Sequence, residues 1–205
     1  MPREEKPQHF SLLRSMHVAD ACTIANGACG VAAVFQAMRS LADGDPRRIA
    51  FAAGLVVVAG FFDLLDGRVA RWRRTASPLG RELDSLADVI SFGVAPAAIG
   101  FAAGLRTLLD ELALIYFTTC GLARLARYNV TAEQLADSQG KVKYYEGTPI
   151  PTSIVPLGIL LLAFRAGNLW PVFHTTPRLE LHLVSLLFVA SGSLMVSKTI
   201  RIPKP

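Results

Sequence analysis

The sequence predicts an all-α integral membrane protein with six transmembrane helices, preceded by a short interfacial amphipathic helix at the N-terminus. Of its 205 residues, 52% are hydrophobic and only 18% are charged, and the mean hydropathy is +0.39. This composition is too apolar for an ordinary soluble domain of the same length. The apolar residues fall into six segments that each approach the roughly 20 residues needed to cross a bilayer. We therefore expect one helical bundle in the membrane.

The chain begins with a polar stretch that becomes amphipathic before the first apolar segment. Residues 1–10 are polar and contain two prolines, so we expect a mobile tail. From Phe10 onward, apolar residues are interleaved with Arg14 and His17, as in helices that lie along a membrane surface. The same residues could alternatively form the first turns of the first transmembrane helix. We assign residues 1–17 to a cytoplasmic tail and interfacial segment.

Six apolar segments follow, and we expect them to form a single membrane domain over residues 18–198. We assign residues 199–205 to a second cytoplasmic tail. The third and fourth segments are separated by a very short link, which predicts a tight helical hairpin. Small residues are frequent in the first and third segments, where they permit close helix contacts in lipid. The segments lie at about 18–39, 47–66, 82–105, 107–127, 149–167 and 179–197.

The distribution of basic residues predicts how the six helices are oriented. The N-terminus, the link at 67–81, the region 124–148 and the C-terminus contain 15 of the 21 Lys and Arg residues. Because basic residues are enriched on the cytoplasmic side of membrane proteins, we expect these regions to face the cytoplasm. Both chain ends then lie on one side, in agreement with an even number of spans. We expect the protein to reside in the cytoplasmic (inner) membrane.

The net charge of +5 and the pI of about 9.4 have two interpretations. In a membrane protein, they favour contact with the anionic lipids of the cytoplasmic leaflet. A basic pI is also typical of nucleic-acid-binding proteins. Here the basic residues lie between apolar spans rather than along one soluble face. We therefore expect membrane lipids as partners and no nucleic acid.

The most informative stretch of the chain contains two pairs of carboxylates. Asp63 and Asp66 are three positions apart in the sequence. Asp84 and Asp88 are four positions apart, so each pair shares one face if the stretch is helical. A helical hairpin would bring the four acids together at the cytoplasmic ends of two spans, and their mutual repulsion implies a bound cation. Because no His or Cys lies nearby, Mg²⁺ or Mn²⁺ is predicted rather than zinc.

The spacing D-x2-D-G-x2-A-R-x8-G-x3-D-x3-D resembles, position for position, the signature of the CDP-alcohol phosphatidyltransferases. Members of that family are membrane enzymes that move a phosphatidyl group from a CDP-activated lipid to an alcohol. The match extends over 26 positions, a length at which chance matches are rare. The eight matching residues are Asp63, Asp66, Gly67, Ala70, Arg71, Gly80, Asp84 and Asp88.

The resemblance implies a role for each acid. Asp63, Asp66 and Asp84 would be the core metal ligands, and two ions are expected. Asp88 would lie closest to the acceptor alcohol, as the general base for its hydroxyl and as a further metal ligand. An isolated acid at a helix end could instead form an interfacial salt bridge, but four acids in register favour the metal site.

The resemblance also implies a binding site for the CDP-linked lipid. Gly67 and Ala70 would let the nucleotide approach the helix backbone, and Arg71 can pair with a phosphate through its fork of donors. In the first segment, T-x2-N-x3-G resembles the family's first-helix pattern, although Ala19-Asp20 stands where the family often has Pro-Asn. Its Asn26 would bind the nucleotide, hold a metal-ligating Asp, or form an interhelical hydrogen bond. The predicted CDP-lipid-binding residues are Asn26, Gly67, Ala70, Arg71, Thr75 and Gly80.

Three flanking blocks resemble the phosphatidylserine synthases of bacteria and archaea. They are ELDSLADVISFGVAPA, GLARLARYN and YEGTPIPT, the last with Thr148 where those proteins have Leu or a small residue. This resemblance implies CDP-diacylglycerol and L-serine as substrates and phosphatidylserine and CMP as products. Arg124 and Arg127, three positions apart, would bind the serine carboxylate, or would anchor the helix at the membrane interface. Ser91, three positions after Asp88, would contact the acceptor or simply pack.

Other interpretations of the same residues stay open. Within the family, the acceptor could be glycerol 3-phosphate, inositol or its phosphate, or choline. Intramembrane acids also line ion paths, so an ion or metal transporter is the alternative from another class. A transport path would place the acids near the midplane rather than at one face. The resemblance also implies a homodimer. The GxxxG spacing from Gly100 to Gly104 indicates either internal packing or a dimer contact.

Overall fold

The described part of a computed structural model contains six helices and two short strand pairs. The predicted tail and interfacial segment at residues 1–17 lies outside it, as does Thr75. Six helices agree with the six apolar segments. The described residues are 18–73, 78–135, 144–173, 180–199 and 201–203.

The helices follow the predicted segments, but several of them are longer. The helix α2 extends to Arg73 rather than 66, and α4 extends to Leu135 rather than 127. Gly44, with φ of +70°, lies between α1 and α2, and the Asp45 carboxylate accepts the backbone N–H of Arg47 at 2.9 Å. The helices are α1 (Val18–Asp43), α2 (Arg47–Arg73), α3 (residues 78–103), α4 (Leu108–Leu135), α5 (Ile154–Arg165, after a 3-10 turn at Ile150–Ser153) and α6 (Leu183–Val196).

The third helix contains a π-helical insertion. It is α-helical over Pro78–Asp88, π-helical over Val89–Val94 and α-helical again over Ala95–Ala103. At the end of the insertion, the backbone N–H of Ala95 bonds the carbonyl of Ile90, five residues earlier. Such insertions are rare and occur frequently at functional sites. Here the insertion begins directly after Asp88.

Among the described residues, three helices are long and apolar enough to cross a membrane. They are Asp20–Asp43, Arg47–Arg68 and Leu79–Ala103, and two further apolar helices, Ile150–Arg165 and Leu183–Val196, are shorter. The helix α6 has only 14 residues. At about 1.5 Å per residue it covers roughly 21 Å, less than the hydrocarbon thickness of about 30 Å. The six predicted helices are therefore confirmed, and three of the described helices are candidate spans by length and hydropathy together.

Two antiparallel strand pairs, which were not predicted from the sequence, join segments of the chain that lie outside the helices. The strand β1 (Tyr144–Glu146) pairs with β4 (Arg201–Pro203). The strand β2 (Pro171–Phe173) pairs with β3 (Leu181–His182). The first pair joins the link before α5 to the segment after α6, and the second closes the link between α5 and α6. The two strand pairs therefore lie at opposite ends of the bundle.

The core of the bundle combines small residues with a few large rings. The packing of α1 on α2 buries Ala33, Ala37, Ala52 and other small side chains, as the composition of the first segment predicts. Between α4 and α6, the Phe117 and Phe188 rings meet edge to face with their centroids 5.1 Å apart.

A buried carboxylate in the first turn of α4 ties the beginning of this helix to the beginning of α6. Asp110 is fully buried and accepts hydrogen bonds from Ser185 Oγ at 2.7 Å and from the backbone N–H of His182 at 3.1 Å. Its second oxygen lies 2.7 Å from His182 Nδ1 and accepts the Thr107 hydroxyl at 2.9 Å. This polar cluster lies at the end of the bundle opposite to the acids Asp63–Asp88.

Candidate active site

Three carboxylates from two helices converge near one end of the bundle. Asp63 and Asp66 lie in the second half of α2, and Asp84 lies in the second turn of α3. One oxygen of each carboxylate lies within 4.8 Å of the others. Asp66 is buried, and the other two are partly buried. The helical hairpin predicted from the sequence thus brings these three acids together.

The donor atoms of this group suit a hard divalent cation. All three are carboxylate oxygens, the ligands that Mg²⁺, Mn²⁺ and Ca²⁺ prefer. Asp84 Oδ1 is buried and has no hydrogen-bond partner among the described residues. A buried acceptor without a donor costs free energy, so this oxygen is better satisfied by a cation. The residues present therefore fit a metal site.

The fourth acid lies one turn further along α3 and has a different environment. Asp88 is only 6% exposed, and its Oδ1 accepts a hydrogen bond from Asn26 Nδ2 at 3.1 Å. It does not belong to the group of three carboxylates whose oxygens converge. This separation is compatible with the distinct role predicted for Asp88.

A second residue of α1 contacts the acids, and the sequence analysis did not assign it. Thr23 Oγ1 donates to Asp66 Oδ2 at 3.0 Å, and both side chains are buried. Thr23 and Asn26 are three positions apart and therefore lie on one face of α1. The T-x2-N spacing was the signal that could have identified Thr23.

The residues predicted to bind the acceptor already have contacts within the protein. Ser91 is fully buried, and its hydroxyl donates to the backbone carbonyl of Asn26 at 2.9 Å. Arg127 Nη1 donates to the carbonyl of Val196 at 3.0 Å. The guanidinium carbon of Arg124 lies 5.5 Å from the centroid of the Tyr128 ring. Acceptor binding by these residues stays a prediction.

A polar cluster next to Asp84 was not predicted either. Asn129 of α4 donates to Ser85 Oγ at 3.1 Å and to Glu82 Oε2 at 3.3 Å, and Ser85 donates to Asn129 Oδ1 at 3.2 Å. These contacts hold the first half of α3 against α4. They fix the helix on which Asp84 and Asp88 lie.

Residues 16–194 match the sequence profile of the CDP-alcohol phosphatidyltransferases. The chain belongs to the CDP-alcohol phosphatidyltransferase family. The match includes α1 to α5 and all but the last two residues of α6. Together with the three candidate spans, it identifies an integral membrane protein.

Relatives within the family share one name, CDP-diacylglycerol–serine O-phosphatidyltransferase. The protein from Saccharomyces cerevisiae is 44% identical over 204 residues, covering 96% of this chain and 74% of that protein. The protein from Bacillus subtilis is 32% identical over 145 residues, covering 70% and 74%. The protein from Methanocaldococcus jannaschii is 33% identical over 155 residues, covering 76% and 63%. The match thus covers about three quarters of the Saccharomyces cerevisiae and Bacillus subtilis proteins and 63% of the Methanocaldococcus jannaschii protein.

The structure describes the other residues of the family signature in different detail. A Cβ added to Gly67 would meet no described atom within 4 Å, so the surface of α2 is open beside Asp66. Gly80 is partly exposed in the first turn of α3. Ala70 and Arg71 lie in α2, but their side chains are not among those described. The predicted nucleotide contacts of all these residues stay predictions.

Proposed function

We propose that the chain transfers the phosphatidyl group of CDP-diacylglycerol to L-serine, forming phosphatidylserine and CMP. The convergence of Asp63, Asp66 and Asp84 supports the chemistry, because cleavage of a pyrophosphate needs its negative charge to be neutralised. The relatives from three organisms support serine as the acceptor, because all three carry the name of a serine O-phosphatidyltransferase.

The three converging acids hold two divalent cations, Mg²⁺ or Mn²⁺, in this proposal, with Asp88 as a further ligand. Bound there, the cations would neutralise charge on the pyrophosphate oxygens of the CDP-linked lipid. The buried Asp84 Oδ1 supports this assignment, because it has no donor among the described residues.

Asp88 acts as the general base for the acceptor. It removes the proton of the serine hydroxyl, the hydroxyl oxygen forms a bond to the phosphorus of the phosphatidyl group, and the bond from that phosphorus to the CMP oxygen breaks. A base within hydrogen-bond reach is needed because a neutral hydroxyl is a poor nucleophile. Ser85 is the serine nearest to the acids in the sequence, and it bonds Asn129 rather than a carboxylate. This contact favours direct displacement over a covalent enzyme intermediate.

Two sets of side chains bind the substrates in this proposal. Asn26 Oδ1 is buried without a partner among the described residues, so it can accept a hydrogen bond from the nucleotide. Ser91, Arg124 and Arg127 bind serine, the arginines through its carboxylate. The proposed CDP-lipid-binding residues are Asn26, Gly67, Ala70, Arg71, Thr75 and Gly80.

In this proposal the chain also has a defined arrangement in the membrane. One domain over residues 18–198 crosses the cytoplasmic membrane six times and assembles as a homodimer. Residues 1–17 and 199–205 are cytoplasmic, and the active site faces the cytoplasm. The positions of the acids support this arrangement, because Asp66 and Asp84 lie near the ends of their candidate spans, where a water-soluble nucleotide can meet a lipid.

The deciding experiment is CMP release from CDP-diacylglycerol by the purified chain, with Mg²⁺ or Mn²⁺ and a panel of alcohols. We expect release that depends on L-serine and is lost in Asp66→Asn. The matched control is Asp43→Asn, an exposed acid at the end of α1. Release with glycerol 3-phosphate, inositol or choline alone would keep the family chemistry and refute serine. No release with any alcohol would favour the ion-transport interpretation.

A further inference from the structure

We propose that Thr23 and Asn26 are positioning residues, through which α1 sets the orientation of one carboxylate on each arm of the α2–α3 hairpin. This inference rests on the proposed function, because it concerns the acids assigned there as metal ligands and base. In this role each side chain acts through the acid to which it donates. The positioning contact of Asn26 is made by Nδ2, and the nucleotide contact proposed above is made by Oδ1.

The geometry places one donor against each arm. Thr23 Oγ1 lies 3.0 Å from Asp66 Oδ2, on α2. Asn26 Nδ2 lies 3.1 Å from Asp88 Oδ1, on α3. All four side chains are at least nine-tenths buried. Because a carboxylate has two oxygens, a donor on one of them restricts rotation and leaves the other for a ligand or a substrate proton.

The chemistry of the two donors suits a cation site. Thr and Asn are neutral, so they orient a carboxylate without cancelling its charge, as Lys or Arg would. Asn26 Oδ1 has no partner among the described residues, whereas its Nδ2 faces Asp88. In that orientation the amide N–H donates to the Asp88 carboxylate, which has oxygens that can accept it.

The close approach of α1 to α3 makes these contacts possible. A Cβ on Gly30 would lie 2.8 Å from Ser91 Cα, a distance that two packed helices cannot accommodate. A Cβ on Gly27 would lie 3.4 Å from the Ala87 side chain. Ser91 Oγ also donates to the Asn26 carbonyl at 2.9 Å. The backbone of α1 is therefore fixed against α3 within one turn of Asp88.

A purely structural role predicts different behaviour from a positioning role. Hydrogen bonds between helices contribute to stability, and their loss would lower the melting temperature alone. Loss of a positioning residue would change metal affinity or turnover in a chain that still folds. Groups that orient metal ligands typically change affinity or activity by about 10–100-fold when removed.

The first test measures Mn²⁺ binding to the purified full-length chain, from the electron paramagnetic resonance signal of free Mn²⁺. We expect Thr23→Val to weaken binding about 10-fold or more and Thr23→Ser to restore it. The control is Ser40→Ala, which removes a hydrogen bond to the Asp45 carbonyl at the end of α1 far from the acids.

The Mn²⁺ measurement needs no acceptor, so it remains decisive if serine is the wrong substrate. Equal affinity in Thr23→Val and the wild-type chain would overturn the role of Thr23. No Mn²⁺ binding by the wild type would refute the metal site and the inference together.

The second test measures CMP release by Asn26→Ala with the acceptor that the wild-type chain uses. We expect kcat to fall about 10–100-fold while the melting temperature stays close to wild type. The KM for CDP-diacylglycerol should rise as well, because the variant also loses the proposed nucleotide contact of Asn26 Oδ1. A raised KM with unchanged kcat would limit Asn26 to that nucleotide contact. A lower melting temperature with unchanged kcat would identify a packing role. Either result would overturn the positioning role of Asn26.

Discussion

At the scale of single residues, the four acids of the signature differ in what surrounds them. Asp66 and Asp88 each accept a neutral donor from α1. Asp84 has a buried oxygen without a partner among the described residues. The acids with donors are already oriented, whereas Asp84 depends most on a bound cation. Substitutions at these positions should therefore have distinguishable effects.

Asp84→Ala should raise the Mg²⁺ concentration needed for half-maximal activity by more than about 10-fold, because a core ligand is removed. Nucleotide binding should weaken at the same time. The measurement is a Mg²⁺ titration of CMP release, with Asp43→Ala as the exposed control. An unchanged titration would remove Asp84 from the ligand set.

Asp88→Asn should bind Mn²⁺ and nucleotide nearly as well as the wild type but lose turnover by about 10²–10⁴-fold, the range typical of general bases. The amide keeps the size of the carboxylate and can still accept from Asn26, so the fold should persist. Nucleotide affinity and kcat for CMP release are measured on the same preparation. Near-normal release would contradict the assignment of Asp88 as base.

The acids were predictable from the sequence because helical spacing alone places them on shared faces. Asp63 and Asp66, for example, needed only the periodicity of one helix. The bond between Thr23 and Asp66 was not predictable in this way. It depends on which face of α1 meets the hairpin, and that face is decided by the glycines that let α1 approach α3. The hydrogen bond from Ser91 to the Asn26 carbonyl was not predictable for the same reason, because it also depends on the close approach of α1 to α3.

At the scale of elements, the link before α5 makes a close contact with the end of α6. Gly147 has φ of +77°, and a Cβ on it would collide with the carbonyl oxygen of Met195. The next residue, Thr148, donates its backbone N–H to the Leu194 carbonyl at 3.2 Å. The YEGTPIPT block thus fixes the end of α6.

Gly147→Ala should destabilise the protein more than Gly167→Ala. Both glycines have positive φ, +77° and +68°, but no described atom lies within 4 Å of a Cβ on Gly167. The left-handed conformation costs an alanine about 1–2 kcal/mol at either site, and the collision adds about 1–3 kcal/mol at Gly147. Thermal unfolding in detergent measures the difference. Equal melting temperatures of the two variants would show that the link before α5 accommodates the added methyl group without loss of stability.

Helix ends and strands illustrate what the sequence could not predict at this scale. Hydropathy marked the end of the second segment at 66, whereas α2 continues to Arg73, because backbone hydrogen bonding does not stop at the edge of an apolar run. The strand pairs have only two or three residues on each side. They form where two segments outside the helices meet, so no local alternation of polar and apolar residues predicts them.

At the scale of the whole molecule, contacts between links agree with alternating helix directions. Thr107, in the link between α3 and α4, donates to the Glu180 carbonyl, and Asp110, in the first turn of α4, accepts the backbone N–H of His182. Both contacts join this end of α4 to the segment before α6. At the other end, Arg127 bonds the last residue of α6. Links separated by an even number of helices therefore share one end of the bundle, as the distribution of basic residues predicts.

Single cysteines introduced at the two ends should be labelled from opposite sides of the membrane. In a chain with Cys22, Cys29 and Cys120 replaced by Ala, Lys198→Cys should react from the cytoplasmic side. Gly44→Cys, in the exposed link between α1 and α2, should react from the other side. A membrane-impermeant maleimide applied to intact and to inverted vesicles makes the measurement. Labelling of both positions from one side would contradict the proposed orientation.

The π-helical insertion determines where α3 can change its length without turning the acids. Each residue of an α-helix advances the chain by about 100° and 1.5 Å, so a deletion in an α-helical part of α3 would turn the residues on its two sides relative to each other. The insertion accommodates one extra residue, because its hydrogen bond joins residues five apart rather than four. Deleting a single residue between Val89 and Val94 would therefore give an unbroken α-helix in which Asp84 and Asp88 keep nearly the same orientation relative to Ala95–Ala103. Changes of length in α3 are expected to disturb the direction of the acids least when they fall within this stretch.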